Sequence, residues 1–143
     1  MYWKNIFISA VLFAVISMVV HTIGAIADMD YYTNSAYSSI WSPIMMPGPS
    51  PPGMEFYAIS FAFSFAIGAI FAAAFSMLRA SIPGDDLRKG ADYGLLLFIL
   101  VQIPYVLTDF LMLAVPLALL LSWTLQSLVV FVLGGLAFSK LIR

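Results

Sequence analysis

Polar side chains recur at helical spacing inside long apolar stretches of this chain, and they are the residues best suited to chemistry. Ser17, His21 and Asp28 fall four and seven residues apart, which places them on one face of a helix. Because polar groups are costly in hydrocarbon, such faces turn toward the interior of a helix bundle. The spacing therefore predicts a polar pocket. Its candidate ligand-binding residues are His21, Asp28, Ser64, Gln102, Tyr105, Asp109, Trp123 and Gln126.

The same residues have simpler interpretations, which the sequence leaves open. His21 is the only histidine, and it could hydrogen-bond a neighbour or take part in ligand binding or proton transfer. Gln102 and Gln126 could form interhelical hydrogen bonds. Asp28 could lie at the water surface, and Asp109 could lie at the membrane interface close to the end of its helix. The pocket is therefore either functional or structural.

The available side chains restrict the chemistry. His21, Asp28 and Asp109 are suitable metal ligands, but their spacing matches no known metal-binding motif, so no metal site is predicted. A single histidine cannot provide both axial ligands of a haem, although a dimer could. The sequence contains no evident nucleophile–base pair and no phosphate-binding glycine loop. It predicts no catalytic residue and identifies no cofactor.

The composition is that of a membrane protein. Hydrophobic residues make up 63% of the 143-residue chain and charged residues 9%, whereas soluble domains contain about half apolar and roughly 25% charged residues. The mean hydropathy is +1.03. A net charge of −1 provides no basic surface for nucleic acid. The absence of cysteine excludes disulfides, thiolate nucleophiles and Cys-ligated zinc or iron–sulfur clusters.

Four segments are long enough to cross a bilayer, which takes about 20 apolar residues. Residues 5–27 and 56–78 carry no charge. Between Tyr93 and Ser139 the only charged residue is Asp109, and a proline divides this stretch into two helices. The predicted fold class is all-α: one four-helix transmembrane domain over residues 1–143. Its spans are expected near 4–27, 55–79, 86–113 and 116–141, with an outer loop at 28–54.

The basic residues predict the orientation. With four spans, all of them lie on the side of both termini: Lys4, Arg79, Arg88, Lys89, Lys140 and Arg143. Positive residues stay cytoplasmic. The sequence therefore predicts a multi-pass protein of the cell membrane with both termini in the cytoplasm. The 28–54 loop and the mouth of the polar pocket would face outward.

The first span carries features of a secretory signal peptide. Lys4 precedes an apolar run that ends in Ala25-Ile26-Ala27, which resembles a small-residue cleavage site. However, the apolar run is longer than the usual signal core of about 7–15 residues. We expect a retained span.

The outer loop is predicted to contain a short helix over residues 35–44. Asn34 or Ser35 would cap it and Pro43 would stop it. Its apolar face would consist of Tyr37, Ile40, Trp41 and Ile44. Because tyrosine and tryptophan prefer the headgroup level, this helix would lie flat on the outer surface. It would act either as a connector with aromatic anchors or as a cap over the bundle.

Small residues and prolines predict how the spans pack. The Gly90–Gly94 pair allows close helix approach at the start of the third span. Pro104 should kink that span, because it cannot donate a backbone hydrogen bond. Asp85 or Asp86 is expected to cap the third helix.

Several short motifs are distributed over nearly the whole chain. In the outer loop they are Met29-Asp30-Tyr31-Tyr32, Ile40-Trp41-Ser42, Met45-Met46-Pro47 and Gly48-Pro49-Ser50-Pro51-Pro52; further on they are Pro83-Gly84, Lys89-Gly90 and Tyr93-Gly94. With these motifs the chain resembles small four-helix membrane proteins of unknown function in bacteria and archaea. The resemblance implies a four-helix bundle and provides no activity, substrate or catalytic residue.

These observations favour a small non-catalytic membrane protein. It would bind a small ligand or lipid in the outer pocket, or serve as an accessory subunit of a membrane complex. One alternative is a transporter or channel for protons or a small solute that uses His21 and Asp109. Another is a membrane enzyme or redox protein with a cofactor at a dimer interface. Besides the lipid bilayer, the expected partners are other membrane subunits or a second copy of the chain.

Overall fold

The protein is helical almost throughout in a computed structural model that describes residues 3–48 and 51–142. The helices are α1 (Trp3–Ala27), α2 (Met29–Thr33), α3 (Met54–Leu78), α4 (Asp86–Leu97), α5 (Ile103–Met112) and α6 (Leu117–Leu141). A π-helical segment, Phe98–Gln102, joins α4 to α5, and 3₁₀ turns lie at Ser35–Tyr37 and Arg79–Ser81. The described residues form no β-strand, which confirms the all-α class.

Four helical stretches are long and apolar enough to cross a membrane, as the sequence predicts. They are Trp3–Ala27, Met54–Ser81, Asp86–Met112 and Leu117–Leu141. They indicate a multi-pass membrane protein. At one end of the bundle Asn5 Nδ2 donates a hydrogen bond to the Leu141 carbonyl oxygen at 2.8 Å. We call this end the terminal side, and the end that carries residues 28–48 and 51–53 the loop side.

The spans pack in an order that leaves one seam open. α1 packs between α3 and α6, and α4 packs on another face of α6. The α4–α6 contact is a close approach of two backbones. A Cβ on Gly94 would collide with the Phe131 carbonyl oxygen, and one on Gly135 with the Gly90 carbonyl oxygen. In contrast, α3 and α5 do not pack closely against each other, so the loop-side half is open between the second and third spans.

Aromatic rings fill the bundle from its middle toward the terminal side. The ring centroids of Phe75 and Tyr93 lie 5.1 Å apart and those of Phe13 and Phe138 lie 5.8 Å apart. All four side chains are buried. The Tyr93 hydroxyl donates to the Phe71 carbonyl oxygen at 2.8 Å, so its polar atom is satisfied within the core. The polar faces predicted from the sequence lie on the loop side of this cluster.

The helix predicted over residues 35–44 is absent. Only Ser35–Tyr37 forms a 3₁₀ turn. The Asn34 side chain caps this turn by accepting a hydrogen bond from the Ala36 N–H at 2.9 Å. Beyond it, the Ser42 hydroxyl accepts from the Met45 N–H at 3.3 Å. Local serine–backbone bonds of this kind compete with helix formation, and a short helix is costly to nucleate. The helical residues of the loop are instead those of α2, which the sequence analysis did not predict.

The third span departs from a regular α-helix near Pro104, where it contains a π-helical segment. Phe98–Gln102 forms this segment, which ends two residues before Pro104; proline has no N–H and cannot continue the regular α-helical ladder. π-Helical turns inside α-helices frequently occur at functional sites. At the other end of the span, Asp85 caps α4 by accepting from the Arg88 N–H at 2.9 Å.

Candidate functional site

A cavity of about 490 Å³ lies between the spans on the loop side. Its wall combines α1, α3, α5 and α6 with residues of the loop. Among the candidate residues, the wall contains His21, Ser64, Gln102, Tyr105, Asp109, Trp123 and Gln126. The polar faces of separate spans thus converge on one space, as their spacing predicts. The role of these residues in ligand binding stays a prediction.

Asp28 is the candidate that does not line the cavity. It is 6% exposed, so its carboxylate is buried in the protein and the interpretation that it lies at the water surface is wrong. The Ser122 hydroxyl donates to Asp28 Oδ2 at 2.7 Å, and Gln126 Nε2 donates to the same oxygen at 3.1 Å. Gln126 Nε2 also lies 3.0 Å from Ser122 Oγ. A buried carboxylate requires hydrogen-bond donors. Asp28 therefore holds the side chains of Ser122 and Gln126 on α6 in place without lining the cavity itself.

Asp28 also determines how His21 presents its ring. Gln126 turns its Nε2 toward Asp28, so its Oε1 faces His21 Nδ1, 3.1 Å away. An amide oxygen only accepts hydrogen bonds, so Nδ1 must carry the proton. In the neutral ring Nε2 is then an acceptor. The chain from Asp28 through Gln126 to His21 selects one tautomer at the cavity wall.

Room for this arrangement comes from Gly24. A Cβ at Gly24 would collide with the side-chain amide of Gln126. The glycine lies one helical turn from both His21 and Asp28, so the amide fits against a bare stretch of α1 between the two groups that it contacts. The spacing of Ser17, His21 and Asp28 indicated this face, but spacing along one helix could not identify the partner on α6.

Two side chains of the third span face the cavity without a protein partner. Gln102 is 9% exposed and Asp109 is 8% exposed. Both line the cavity, and neither side chain hydrogen-bonds or forms an ion pair within the described residues. The prediction that Gln126 bonds across helices is confirmed, whereas the same prediction for Gln102 is wrong. Buried polar groups are nearly always satisfied, so these two define the part of the site that a bound molecule can complete.

His21 and Asp109 form no direct pair. His21 bonds Gln126, and within the described residues no hydrogen bond or ion pair joins it to Asp109. They are separate groups on the wall of one cavity.

Aromatic side chains hold the loop against the bundle beside the cavity. Trp123 Nε1 donates to the Tyr32 hydroxyl at 2.8 Å. The Trp41 ring packs edge-on to both, with centroids 5.1 Å from Tyr32 and 6.3 Å from Trp123. Trp41 therefore packs against the bundle, and the prediction that it anchors a helix lying flat on the outer surface is wrong. The reason is that no helix forms there to project it outward.

Burial raises the pKa of the Tyr32 hydroxyl. The bond donated by Trp123 opposes this effect and the charge of Asp28 adds to it. Because the ordinary value is already near 10, Tyr32 remains a neutral hydroxyl over the physiological range. It can therefore accept from Trp123 and still hold its own proton.

Sequence reasoning did not identify the residues that roof the cavity. The loop contributes Met45, Met46, Pro51 and Pro52 to the wall. The predicted cap, residues 35–44, contributes no residue to the wall, whereas Tyr32 of α2 does. The path of the loop over the cavity depends on tertiary packing, which the sequence pattern does not show.

The fold and the cavity define a small polytopic four-helix membrane protein with a polar chamber on its loop side. The described residues contain no cluster of three or more histidine, cysteine, aspartate or glutamate side chains that could hold a metal ion. In comparisons with known proteins, no family model, curated protein or solved structure matches the chain.

Proposed function

We propose that this protein is a non-catalytic membrane protein that binds a small ligand or lipid in the loop-side cavity. The observation that carries the proposal is the pair Gln102 and Asp109, which are more than nine-tenths covered, face the cavity and have no partner among the described residues. A volume of about 490 Å³ falls within the range of small-molecule sites, roughly 300–1,000 Å³. A ligand that hydrogen-bonds both groups would complete the site.

Binding is better supported than passage through the bundle. The rings of Phe13, Phe75, Tyr93 and Phe138 are buried directly between the cavity and the terminal side. A transport path would have to cross this packed cluster. The alternative of a transporter or channel that uses His21 and Asp109 gains no support from a direct contact between them, since His21 bonds Gln126.

Retention of a native ligand can be tested with a cavity-filling variant. We expect protein extracted gently from its own membrane to carry a bound molecule that native mass spectrometry detects. Ser60→Trp should abolish the retained mass, because Ser60 lines the cavity. Ala62→Trp is the matched control, since Ala62 is exposed on the same helix and does not line the cavity. Equal retention by the two variants would contradict the proposal.

We also propose that both termini are cytoplasmic and that the loop side faces outward. The support is that Lys4, Arg79, Arg88, Lys89 and Lys140 all fall on the terminal side, and that cytoplasmic segments are enriched in positive residues. The proposal places the mouth of the cavity on the outer surface of the cell membrane.

Cysteine labelling tests this orientation directly, because the chain has no cysteine of its own. Ser38→Cys and Ser81→Cys change exposed residues on opposite sides of the bundle. In intact cells, a membrane-impermeant maleimide should label only Ser38→Cys; after lysis both variants should react. Labelling of Ser81→Cys in intact cells would reverse the orientation.

A further inference from the structure

An apolar groove adjoins the cavity at the open seam of the bundle. It lies between α3 and the third span, has a volume of about 300 Å³ and is lined mainly by Ile67, Ile70, Phe71, Val101 and Phe131. Gln102 and Tyr105 line both the groove and the cavity. Ile70 is 65% exposed, so the groove lies toward the lipid. A molecule could therefore have one end in the polar cavity and the other in the membrane.

The polar part of the cavity is rich in hydrogen-bond acceptors. Asp109 presents a carboxylate without a partner, and the bond from Nδ1 to Gln126 leaves His21 with Nε2 as an acceptor. Within residues 3–48 and 51–142, no lysine or arginine lines the cavity. A phosphate or carboxylate head would meet the Asp109 carboxylate and no cationic side chain on the described wall to pair with it. The wall is complementary to a head that is positively charged and carries several N–H donors.

We infer that the cavity takes the primary ammonium head of a single-chain membrane amphiphile, and that its hydrocarbon chain lies in the groove. This inference rests on the proposed ligand-binding function. A primary ammonium has three donors, as many as Asp109, Gln102 and His21 can accept. Its charge offsets the cost of a carboxylate in a mostly apolar chamber. The rings of Tyr105 and Trp123 on the wall can add cation–π attraction.

The head can be identified with probes that share one chain length. We would place the protein in phosphatidylcholine nanodiscs and measure binding of radiolabelled n-dodecylamine. Unlabelled n-dodecylamine, dodecanol and dodecyl phosphate would compete. The amine should compete best and the phosphate least. Asp109→Asn should weaken amine binding at least tenfold, since a hydrogen bond to a charged group is worth about 1.5–3 kcal/mol.

Two further variants keep the test independent of how well Asp109→Asn folds. Gln102→Leu should weaken amine binding several-fold, because it removes the second partner of the head. Ile70→Trp should weaken it by filling the groove, whereas Phe63→Trp, an exposed position on the same helix outside the groove, should not. Equal effects of the two tryptophan variants would overturn the placement of the chain.

The outcomes separate this inference from the function on which it rests. If dodecanol or dodecyl phosphate competes as well as the amine and Ser60→Trp abolishes binding, the cavity binds a ligand but the ammonium head is wrong. If Asp109→Asn leaves amine binding unchanged while Ser60→Trp abolishes it, the carboxylate does not recognise the head. If amine binding is insensitive to Ser60→Trp, the probe does not occupy the cavity and the inference is overturned; retention of a native ligand is measured separately.

Discussion

Gly135→Ala should strongly destabilise the bundle, because the added methyl would meet the backbone of α4. The added methyl would collide with the Gly90 carbonyl oxygen and lie 2.9 Å and 3.1 Å from the Gly94 nitrogen and Cα. All these atoms belong to backbone, so no rotamer change relieves the overlap and α4 must move away from α6. Overpacking costs about 1–3 kcal/mol where side chains can shift. We expect a loss at or above the upper end of this range.

Two other glycines provide graded controls. A Cβ at Gly134 would lie 2.6 Å from the Phe13 ring, which is a side chain and can shift, so Gly134→Ala should cost less. Gly48 has nothing within 4 Å, and Gly48→Ala should change stability by less than about 0.5 kcal/mol. Reversible unfolding in mixed detergent micelles measures all three. A Gly135→Ala protein as stable as Gly48→Ala would mean that the two backbones do not touch.

The fold was largely predictable because a bilayer admits few structures. Uncharged stretches of sufficient length are bound to be helical in lipid, where every backbone group must be satisfied internally. Residues 5–27 and 56–78 therefore predicted the first two spans from the absence of charge alone. The Gly90–Gly94 spacing predicted a close helix contact, but not that Gly135 would supply the other side. Spacing identifies a helix face, whereas the partner of that face depends on the global arrangement.

The loop shows the opposite case. At residues 35–44 the pattern of aromatic residues is compatible with a helix, yet the structure has a 3₁₀ turn followed by serine-stabilised turns. A short segment has no lipid constraint, so local hydrogen bonds and contacts with the bundle decide its path. Trp41 packs against Trp123, which lies far away in the sequence. No periodicity within the loop could show this contact.

The candidate site lies between these cases. Helical spacing correctly grouped His21, Gln102 and Asp109 around one chamber, because polar faces in lipid must turn inward. It did not separate the groups held by the protein from those left open to a ligand. That distinction depends on contacts between spans. Gln126 hydrogen-bonds Asp28 from another span, whereas Gln102 and Asp109 bond no other side chain among the described residues.

Gly24→Ala should disrupt the polar network as strongly as the loss of Gln126 itself. The new methyl would occupy the place of the Gln126 side-chain amide and displace it from both Asp28 and His21. Removing one partner of a buried polar group costs about 1–3 kcal/mol, and more where the group is charged. Gln126→Ala should cost a similar amount, because Asp28 loses one of its donors.

A double-mutant cycle distinguishes this coupling from two independent losses. In the Gln126→Ala background the methyl of Gly24→Ala no longer meets an amide, so the second change should cost almost nothing. We expect an interaction energy of about 1–3 kcal/mol, of the size found for residues in contact. Gly48→Ala combined with Gln126→Ala is the matched cycle, and its energies should add within about 0.5 kcal/mol. If Gly24→Ala and Gln126→Ala also add, the amide does not lie against Gly24, and Asp28 does not select the His21 tautomer through it.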